Sequence, residues 1–418
     1  MSLATCTDPI FLDPHARGVH EEGRRLNARG PLVEAELQGG LRVWATGRRD
    51  IAEAILGGDA FRKDPEHWAD LQHGRVPADW GILELITLPG MLNMDGARHR
   101  ELRSLVNRAF TPRRIEALRP HITEIVQQLL DDLADASSDF VDLRRDFAFQ
   151  VPMQIVCHLF GLDPAASQKL AQDYTAIHSS RSSAEQIAAG KAGVMATIAQ
   201  LVADKRARPG DDLTSALIKV TDGDDAVLDD GLLVATLMLF LFAGHETTQN
   251  ALTNAIKALT SHQQILDRVQ AGAIPIEQVI EETLRWNSPI HTIMFRYAAE
   301  DVLVPGTDVT VQKGEAVVLC IAATGRDPES FGPDVDTFDP ERSVLAQHLA
   351  FGYGAHFCIG APLARMMSGI ALGALVDRFT LDRAGAPEAG PIGSYSSNSD
   401  TALWTRVTSR RPETASAR

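Results

Sequence analysis

One stretch near the C-terminus is built around a single cysteine: Phe351-Gly352-Tyr353-Gly354-Ala355-His356-Phe357-Cys358-Ile359-Gly360-Ala361-Pro362-Leu363-Ala364-Arg365-Met366. Gly354 and Gly360 allow a positive φ or a tightly curled backbone, which can wrap around a bare sulfur. The residues that follow predict a helix, with Pro362 tolerated in its first turn. Because Cys358 would lie at the positive end of that helix, we expect a thiolate, the form of cysteine that binds metal.

This stretch resembles the haem-binding signature of the cytochromes P450, F-x-x-G-x-x-x-C-x-G, which is filled here by Phe351, Gly354, Cys358 and Gly360. The resemblance implies haem b with Cys358 as the axial thiolate ligand of the iron and Phe351 packed beside the haem. Two other interpretations are a buried cysteine in a glycine-rich turn before a helix and a cysteine nucleophile with His356 as its base. The family carries this segment late in a chain of about this length, as the present chain does.

Length and composition indicate a soluble globular protein, because the 418 residues are 44% hydrophobic and 23% charged. The four cysteines, at positions 6, 157, 320 and 358, form no C-x-x-C pair and suggest neither a zinc site nor a disulfide framework. The first 18 residues lack the apolar run of a signal peptide or membrane anchor. We therefore expect a cytoplasmic protein, and the net charge of −15 argues against a nucleic-acid partner.

Alternating apolar residues predict a small sheet. Residues 31–45 alternate around Gly39-Gly40 as in a hairpin, and residues 302–319 alternate between two glycine turns. We expect a mainly α protein with a minor antiparallel β region. The resemblance implies a single haem-containing domain over 1–418, with a small β-rich part at about 30–60 and 295–320 and a helical part at about 95–290 and 360–380.

Residues 63–94 form a long irregular segment, and segments of this length inside a compact domain are usually functional. In the family the corresponding segment closes over the substrate. From residue 115 to about 208 the apolar spacing predicts helix after helix, with breaks at Pro152, Gly161 to Pro164 and Pro209-Gly210. Residues 174–195, poor in large apolar side chains, are the mobile lid that the resemblance implies.

A helix is predicted from Met94 to Phe110, and His99 and Arg103 share one of its faces because they are four residues apart. In similar proteins this His and Arg donate to a haem propionate, as Arg296 and His356 would here. The alternative is a solvated basic face, since arginines stand at 98, 100, 108, 113 and 114. The family's usual Pro-Pro-Glu is replaced by Gly96-Ala97-Arg98.

Residues 232–259 predict a central helix that is apolar on all sides. A membrane span would need ~20 apolar residues, and polar residues interrupt this run before it reaches that length. His245-Glu246-Thr247-Thr248 interrupts it, although buried polar groups are unfavourable without partners. Ala243, Gly244 and Thr247 match the family's A-G-x-x-T oxygen-activation site. The resemblance implies that the helix opens at Gly244, that Thr247 holds oxygen and water beside the haem, and that Glu246 relays protons. The alternative is a polar kink solvated by water.

Glu282 and Arg285 stand at i and i+3 of a predicted helix, which is weak evidence by itself. Together with the cysteine signature they match the family's E-x-x-R, a buried ion pair, with Arg342 as its third member.

The resemblance implies a monooxygenase that takes electrons from NAD(P)H through a reductase and a ferredoxin, since no G-x-G-x-x-G fingerprint follows a strand. We expect a monomer that hydroxylates an apolar steroid, macrolide or other natural product. The alternatives are oxidative coupling of aromatic or indole-containing molecules, and a non-catalytic haem carrier or sensor, against which Glu246-Thr247 speaks. The candidate pocket residues are Leu88, Met91, Leu92, Leu239, Ala243, Ile290, His291 and Ile293.

Overall fold

The computed structural model describes residues 8–78, 80, 82–178, 182–221, 230–343 and 347–410, so Cys6 and part of the predicted lid lie outside the described residues. The helices of these ranges are α1 (Val19–Arg29), α2 (Arg49–Gly57), α3 (Ala69–Gln72), α4 (Leu83–Thr87), α5 (Gly96–Ala109), α6 (Pro112–Ala117), α7 (Arg119–Ala134), α8 (Gln150–Phe160), α9 (Pro164–His178), α10 (Ala184–Ala207), α11 (Leu213–Thr221), α12 (Asp230–Ser261), α13 (Gln263–Gln270), α14 (Ile276–Trp286), α15 (Ile321–Thr324), α16 (Pro328–Phe331) and α17 (Ala361–Arg378). Short 3-10 turns cover Pro65–His67, Met91–Asn93 and Gly354–His356. The predicted mainly helical fold class is confirmed.

The helices follow the apolar spacing of the sequence. In α7 the residues at 122, 125, 126, 129, 130 and 133 are buried, which places one stripe of the helix against the core. The predicted break at Pro152 is wrong, because a π-helical turn, Arg144–Ala148, leads directly into α8. Proline is tolerated there because it stands in the first turn of α8. That helix ends instead at Gly161, whose φ of 75° favours glycine.

The strands are β1 (Ile10–Phe11), β2 (Val33–Leu37), β3 (Leu41–Thr46), β4 (Phe61–Arg62), β5 (Val141–Asp142), β6 (Ile293–Ala298), β7 (Val302–Leu303), β8 (Thr310–Val311), β9 (Ala316–Leu319), β10 (Phe379–Asp382) and β11 (Trp404–Ser409). The main sheet has the order β1-β2-β3-β9-β6-β4, and β10-β11-β5 and β7-β8 form two smaller sheets. Most pairs are antiparallel as predicted, but β1 with β2 and β3 with β9 are parallel. The predicted hairpin at Gly39-Gly40 joins β2 to β3.

Helix α12 crosses the middle of the molecule and packs against α8, α10, α14 and α17. Its length and a mean hydropathy of 1.4 would also suit a membrane span, a property that it shares with core helices of soluble proteins. Leu233, Leu237 and Leu241 are fully buried. The predicted central helix is present, and Ala243, near its centre, is exposed on one side of it.

The predicted ion pair of α14 is completely buried. Arg285 Nε and Nη2 each donate to one oxygen of Glu282 at 2.7 Å, and both side chains have 0% exposure. Arg285 also donates to the carbonyls of Gly325, Val335 and Thr337 at 2.7 to 3.0 Å. Arg342 Nε lies 3.8 Å from Glu282. These bonds fix the irregular segment that follows α15.

Replacing Arg285 by Ala should lower the free energy of unfolding by ~3–5 kcal/mol, because Glu282 would remain buried without its partner. Thermal unfolding and the yield of soluble protein measure the effect. Arg268→Ala is the control, since its bridge to Glu341 lies on the surface and should contribute little. Equal stability of the two variants would refute a structural role for the buried pair.

Candidate functional site

The cysteine loop is shaped by two glycines. Gly352 and Gly354 have φ values of 72° and 70°, and a Cβ at Gly354 would lie 2.8 Å from the carbonyl oxygen of Leu56. Gly360 differs from the prediction: its φ is −84° and it is the residue before α17. The Cys358 N–H donates to the Phe351 carbonyl at 2.9 Å, which closes the loop. The backbone therefore curls before the sulfur rather than after it.

Desolvation by the atoms around the sulfur raises the pKa of the Cys358 thiol, although the residue keeps exposed surface. The N–H groups of Gly360 and Ala361 and the guanidinium of Arg103 act in the opposite direction and favour the thiolate, as the position at the helix end predicts, but they do not outweigh desolvation. Binding to a metal ion would convert the Cys358 thiol to the thiolate, because a thiol that coordinates a metal ion loses its proton.

Phe351 is fixed beside this loop by charged neighbours. The guanidinium of Arg365 lies 4.5 Å from the centre of the Phe351 ring, and Arg365 donates to Glu281 at 2.6 and 3.0 Å. Glu281 also contacts His348 at 3.2 Å, and the ring Nδ1 of His348 accepts the N–H of Ala350. Helix α14 thus holds the residues that lead into the loop.

His99 and His356 lie side by side, and a solvated face is excluded for His99 because it is 2% exposed. Their rings stack with centres 4.0 Å apart. Burial lowers the pKa of His99 to about 4 and also lowers that of His356. Arg103 Nη2 donates to the carbonyl of Phe357 at 2.5 Å, so it contacts the residue before the cysteine. Its contact with a propionate stays a prediction.

Arg296 lies on β6 with only 4% exposure. The register between β6 and β9 shifts between Ile293 and Arg296, and Phe295 has a φ of 50°, which is rare for a bulky residue. Such a bulge redirects the side chains around it. Burial lowers the pKa of Arg296 to about 10, and Asp95 acts against this shift.

Asp95 and Lys63 complete this region, and the sequence analysis missed both as site residues. Asp95 Oδ2 accepts the N–H groups of Lys63 and Asp64 at 2.6 and 2.7 Å, and its Oδ1 lies 3.5 Å from His356 Nε2. We call Asp95, Lys63, His99, Arg296 and His356 the Asp95 cluster. Only its spatial arrangement reveals it, because its members come from four separate parts of the chain: the residue after β4, the start of α5, β6 and the cysteine loop.

Ala243 and Thr247 occupy one side of α12. The Thr247 hydroxyl donates to the Ala243 carbonyl at 2.6 Å, and Thr248 donates to Gly244 at 2.9 Å. The expected opening of the helix at Gly244 is absent from this structure, since α12 runs unbroken through it. These hydroxyl bonds to the preceding turn satisfy groups that an open helix would expose.

Glu246 lies partly buried among charged and aromatic groups from other helices. The charge of Glu246 acts on Arg144 and on Tyr174, so both lie within its electrostatic range. Arg144 also donates a hydrogen bond at 2.9 Å to Asn250, one turn further along α12. The Tyr174 hydroxyl is buried and has no hydrogen-bond partner among the described residues. Arg144 and Tyr174 carried no recognisable sequence signal.

The predicted pocket residues separate into two groups. His291 does not line a pocket, because it is 3% exposed and its Nε2 lies 3.1 Å from Glu22 of α1. Met91 is also buried, in the core cluster that includes Leu102 and Leu105. The partly exposed members, together with the exposed Ala243, remain candidates: Leu88, Leu92, Leu239, Ile290 and Ile293.

The donor set fits a haem. His356 Nε2 is buried and makes only a long contact of 3.5 Å, to Asp95 Oδ1, among the residues that the structure describes. It lies beside the cationic residues of the Asp95 cluster, where propionates would bind. Cys358 and Phe357 are exposed, the latter by 42%, as expected of surfaces that a large flat apolar group would cover. A thiol and grouped cations at one loop are what an iron porphyrin dicarboxylate requires.

Comparison with known proteins agrees with this geometry. A family model described as Cytochrome P450 matches residues 184–272 and 276–393. The chain is 38% identical to 2-hydroxy-5-methyl-1-naphthoate 7-hydroxylase of Streptomyces carzinostaticus, over 89% of this chain and 90% of that one. It resembles testosterone-bound CYP154C4 of Streptomyces sp. ATCC 11861 with a TM-score of 0.89, 37% identity and coverage of 97% and 99%. It also resembles CxnD, a P450 for C–S bond formation in chuangxinmycin biosynthesis, with a TM-score of 0.83, 29% identity and coverage of 97% and 99%.

Replacing Gly354 by Ala should destabilise the cysteine loop more than a positive φ alone explains, because the new Cβ would meet the Leu56 carbonyl. Gly385→Ala is the matched control, since Gly385 has a φ of 75° and open space around it. The left-handed conformation alone costs roughly 1–2 kcal/mol. Thermal unfolding and the ratio of haem to protein measure both variants. Equal losses would mean that the close approach to Leu56 is unimportant.

Proposed function

The chain belongs to the cytochrome P450 family and is a haem monooxygenase, and on that premise we propose that it hydroxylates an apolar small molecule of secondary metabolism. The observation that carries this proposal is the pair Glu246 and Thr247 on α12, an acid and a hydroxyl beside the exposed Ala243. A haem carrier or sensor has no need of a group that delivers protons.

We propose that Cys358 would hold the iron of haem b as its thiolate ligand. Bound haem would supply the redox chemistry for dioxygen activation. His99, Arg103, Arg296 and His356 would hold the propionates. Ala243, Gly244, Phe351, Gly354 and Gly360 would contact or shape the space of the cofactor.

Thr247 and Glu246 would move protons. The Thr247 hydroxyl donates its own proton to the Ala243 carbonyl, so its oxygen is left to accept a bond from water or substrate. Glu246 stands one residue earlier, where a carboxylate can pass protons toward that hydroxyl. The Arg144 guanidinium lies within electrostatic range of this carboxylate.

The substrate is best described by class. The similar proteins include a hydroxylase of an aromatic acid and a P450 with a bound steroid, which supports hydroxylation of an apolar natural product. Oxidative coupling is the second candidate, favoured by the likeness to a P450 for C–S bond formation. The partly buried apolar candidates Leu88, Leu92, Leu239, Ile290 and Ile293 suit either substrate class.

Bacterial P450s take electrons from redox partners, and we propose a ferredoxin served by a ferredoxin reductase. The exposed Arg108 and Arg113 lie at the end of α5 and the start of α6, and α5 carries Arg103, which contacts the cysteine loop. Local positive charge can attract an acidic partner despite the net charge of −15, because screening at ~0.15 M salt acts over ~8 Å. We further propose a cytoplasmic monomer.

Turnover of a library of apolar natural products under isotopically labelled dioxygen tests the proposed reaction. We expect a product that carries one labelled oxygen atom. Cys358→Ser is the control, which should form no product and should lose the red-shifted Soret band of the ferrous carbon monoxide complex. A product in which two substrate molecules or two substrate atoms are joined, without labelled oxygen, would favour oxidative coupling. Retention of that Soret band in Cys358→Ser would refute the ligand assignment.

Thr247→Ala should keep haem and substrate binding but divert electrons to hydrogen peroxide, because the hydroxyl that orders proton delivery is lost. Product formed per NAD(P)H consumed measures this coupling. Thr248→Ala is the matched control, since Thr248 makes the same type of bond to the preceding turn but is 3% exposed. If both variants keep the coupling of the wild type, another group delivers the protons.

A further inference from the structure

We propose that a group of aromatic side chains behind the Asp95 cluster conducts single electrons between the haem and the protein surface. Its function would be to remove oxidising equivalents from the haem when no substrate is bound. This inference rests on the proposed haem site at Cys358. The members of the group, called the aromatic path below, are Trp68, Trp80, Phe295, Tyr297 and Tyr395.

The rings of the aromatic path are in contact from one end to the other. Trp68 stacks on Tyr297 with ring centres 5.7 Å apart. The ring centre of Trp68 also lies 5.0 Å from that of Phe295 and 6.0 Å from that of Trp80. A further step of 6.5 Å joins the ring centres of Trp80 and Tyr395. An electron can therefore cross this region in short steps between neighbouring rings.

The composition of the aromatic path exceeds what packing requires. The chain contains five tryptophans and four tyrosines, and two of each meet here with all their rings buried. Buried Trp and Tyr side chains usually need a hydrogen-bond partner, so packing alone would favour Leu or Phe at such positions. Indole and phenol are, however, the aromatic side chains that give up an electron most readily. This chemistry favours a redox role.

The inner end of the aromatic path lies beside the proposed haem site. Asp95 accepts the N–H of Asp64 at 2.7 Å and lies 3.5 Å from the histidine of the cysteine loop. Asp64 caps the 3-10 turn that leads directly into Trp68. On β6, Tyr297 follows Arg296, which we propose as a propionate donor. Two separate connections thus bring Trp68 and Tyr297 to the back of the Asp95 cluster.

The outer end of the aromatic path is Tyr395. Its hydroxyl accepts the N–H of Gln38 at 3.0 Å, next to the exposed turn at Gly39-Gly40. A phenol that loses an electron also releases its proton, and water at this turn can accept that proton. The Trp80 N–H, in contrast, is buried and has no hydrogen-bond partner among the described residues. Trp80 is therefore suited to pass an electron while it keeps its proton, and Tyr395 is suited to lose both.

The proposed reaction balances with hydrogen peroxide as the oxidant and a low-molecular-weight thiol as the reductant. Peroxide takes up two electrons and two protons at the haem and leaves as two molecules of water. In each of two successive passes, Tyr395 supplies one electron and one proton, and a thiol then returns a hydrogen atom to its oxygen. The two thiyl radicals join to form a disulfide. The net reaction converts peroxide and two thiols into water and a disulfide.

Freeze-quench electron paramagnetic resonance of the substrate-free holoprotein, mixed with hydrogen peroxide, tests the proposal. The wild type should form a tyrosyl radical, and added glutathione should remove it. Tyr395→Phe should lose most of this signal and should also lose its Soret band faster, because oxidising equivalents then stay at the haem. Tyr353→Phe is the matched control, since Tyr353 is 41% exposed in the cysteine loop and lies outside the aromatic path. It should leave both measurements unchanged.

A tyrosyl signal that persists in Tyr395→Phe and disappears in Tyr353→Phe would overturn the proposal, because the radical would then lie on the cysteine loop. Absence of a protein radical in the haem-loaded wild type would overturn it as well. A wild type that binds no haem would instead contradict the proposed haem site itself.

The inner half of the aromatic path is tested by Trp68→Phe, which should slow the appearance of the tyrosyl radical. Trp286→Phe is its control, because the Trp286 ring contacts a different group that includes His262 and Phe338. Equal rates in these two variants would exclude Trp68 from the path. If Trp68→Phe fails to fold, Tyr395→Phe decides, since that change removes only a hydroxyl group.

Discussion

Two adjacent carboxylates on α14 constrain the chain around the cysteine loop: Glu281 contacts residues on both sides of the loop, and Glu282 belongs to a buried pair that fixes an earlier segment. Glu282 is buried against Arg285, which donates to three carbonyls of the segment after α15. Glu281 contacts Arg365 of α17 and His348, which bonds to the backbone just before Phe351. One helix therefore constrains the chain on both sides of Cys358. A buried ion pair adds little to the free energy of unfolding compared with apolar residues in the same place. Removal of one partner lowers that free energy strongly, because the other charge then stays buried alone.

Positive charge that is buried near the loop determines what the site can hold. Lys63, Arg296 and two stacked histidines surround Asp95, although desolvation disfavours every charged form there. An anionic group such as a haem propionate would be favoured beside these cations. Cys358 would hold the iron of a haem as its thiolate.

Helix α12 carries Glu246 and Thr247, the proposed proton-transfer residues, and runs through Gly244 without a break. Thr247 and Thr248 bond to the preceding turn in the same way, yet Thr248 is buried in the core and Thr247 is partly exposed. Position, rather than bonding, distinguishes the hydroxyl that we propose to be catalytic from its neighbour. Behind them, Arg144 from the π-helical turn and Tyr174 from α9 connect Glu246 to the rest of the core.

The sequence by itself determined the features that depend on neighbours along the chain. The cysteine loop, the start of α17, the pair at i and i+3 in α14 and the hairpin at Gly39-Gly40 all follow from local spacing and backbone preferences. Only the tertiary structure decided which polar residues are buried together. Lys63, Asp95 and Arg296 come from segments far apart in sequence, and His291, expected at a pocket, instead meets Glu22 of α1. Whether such a side chain is solvated or desolvated depends on the distant segments that pack over it. A local sequence pattern therefore cannot predict which partner it meets.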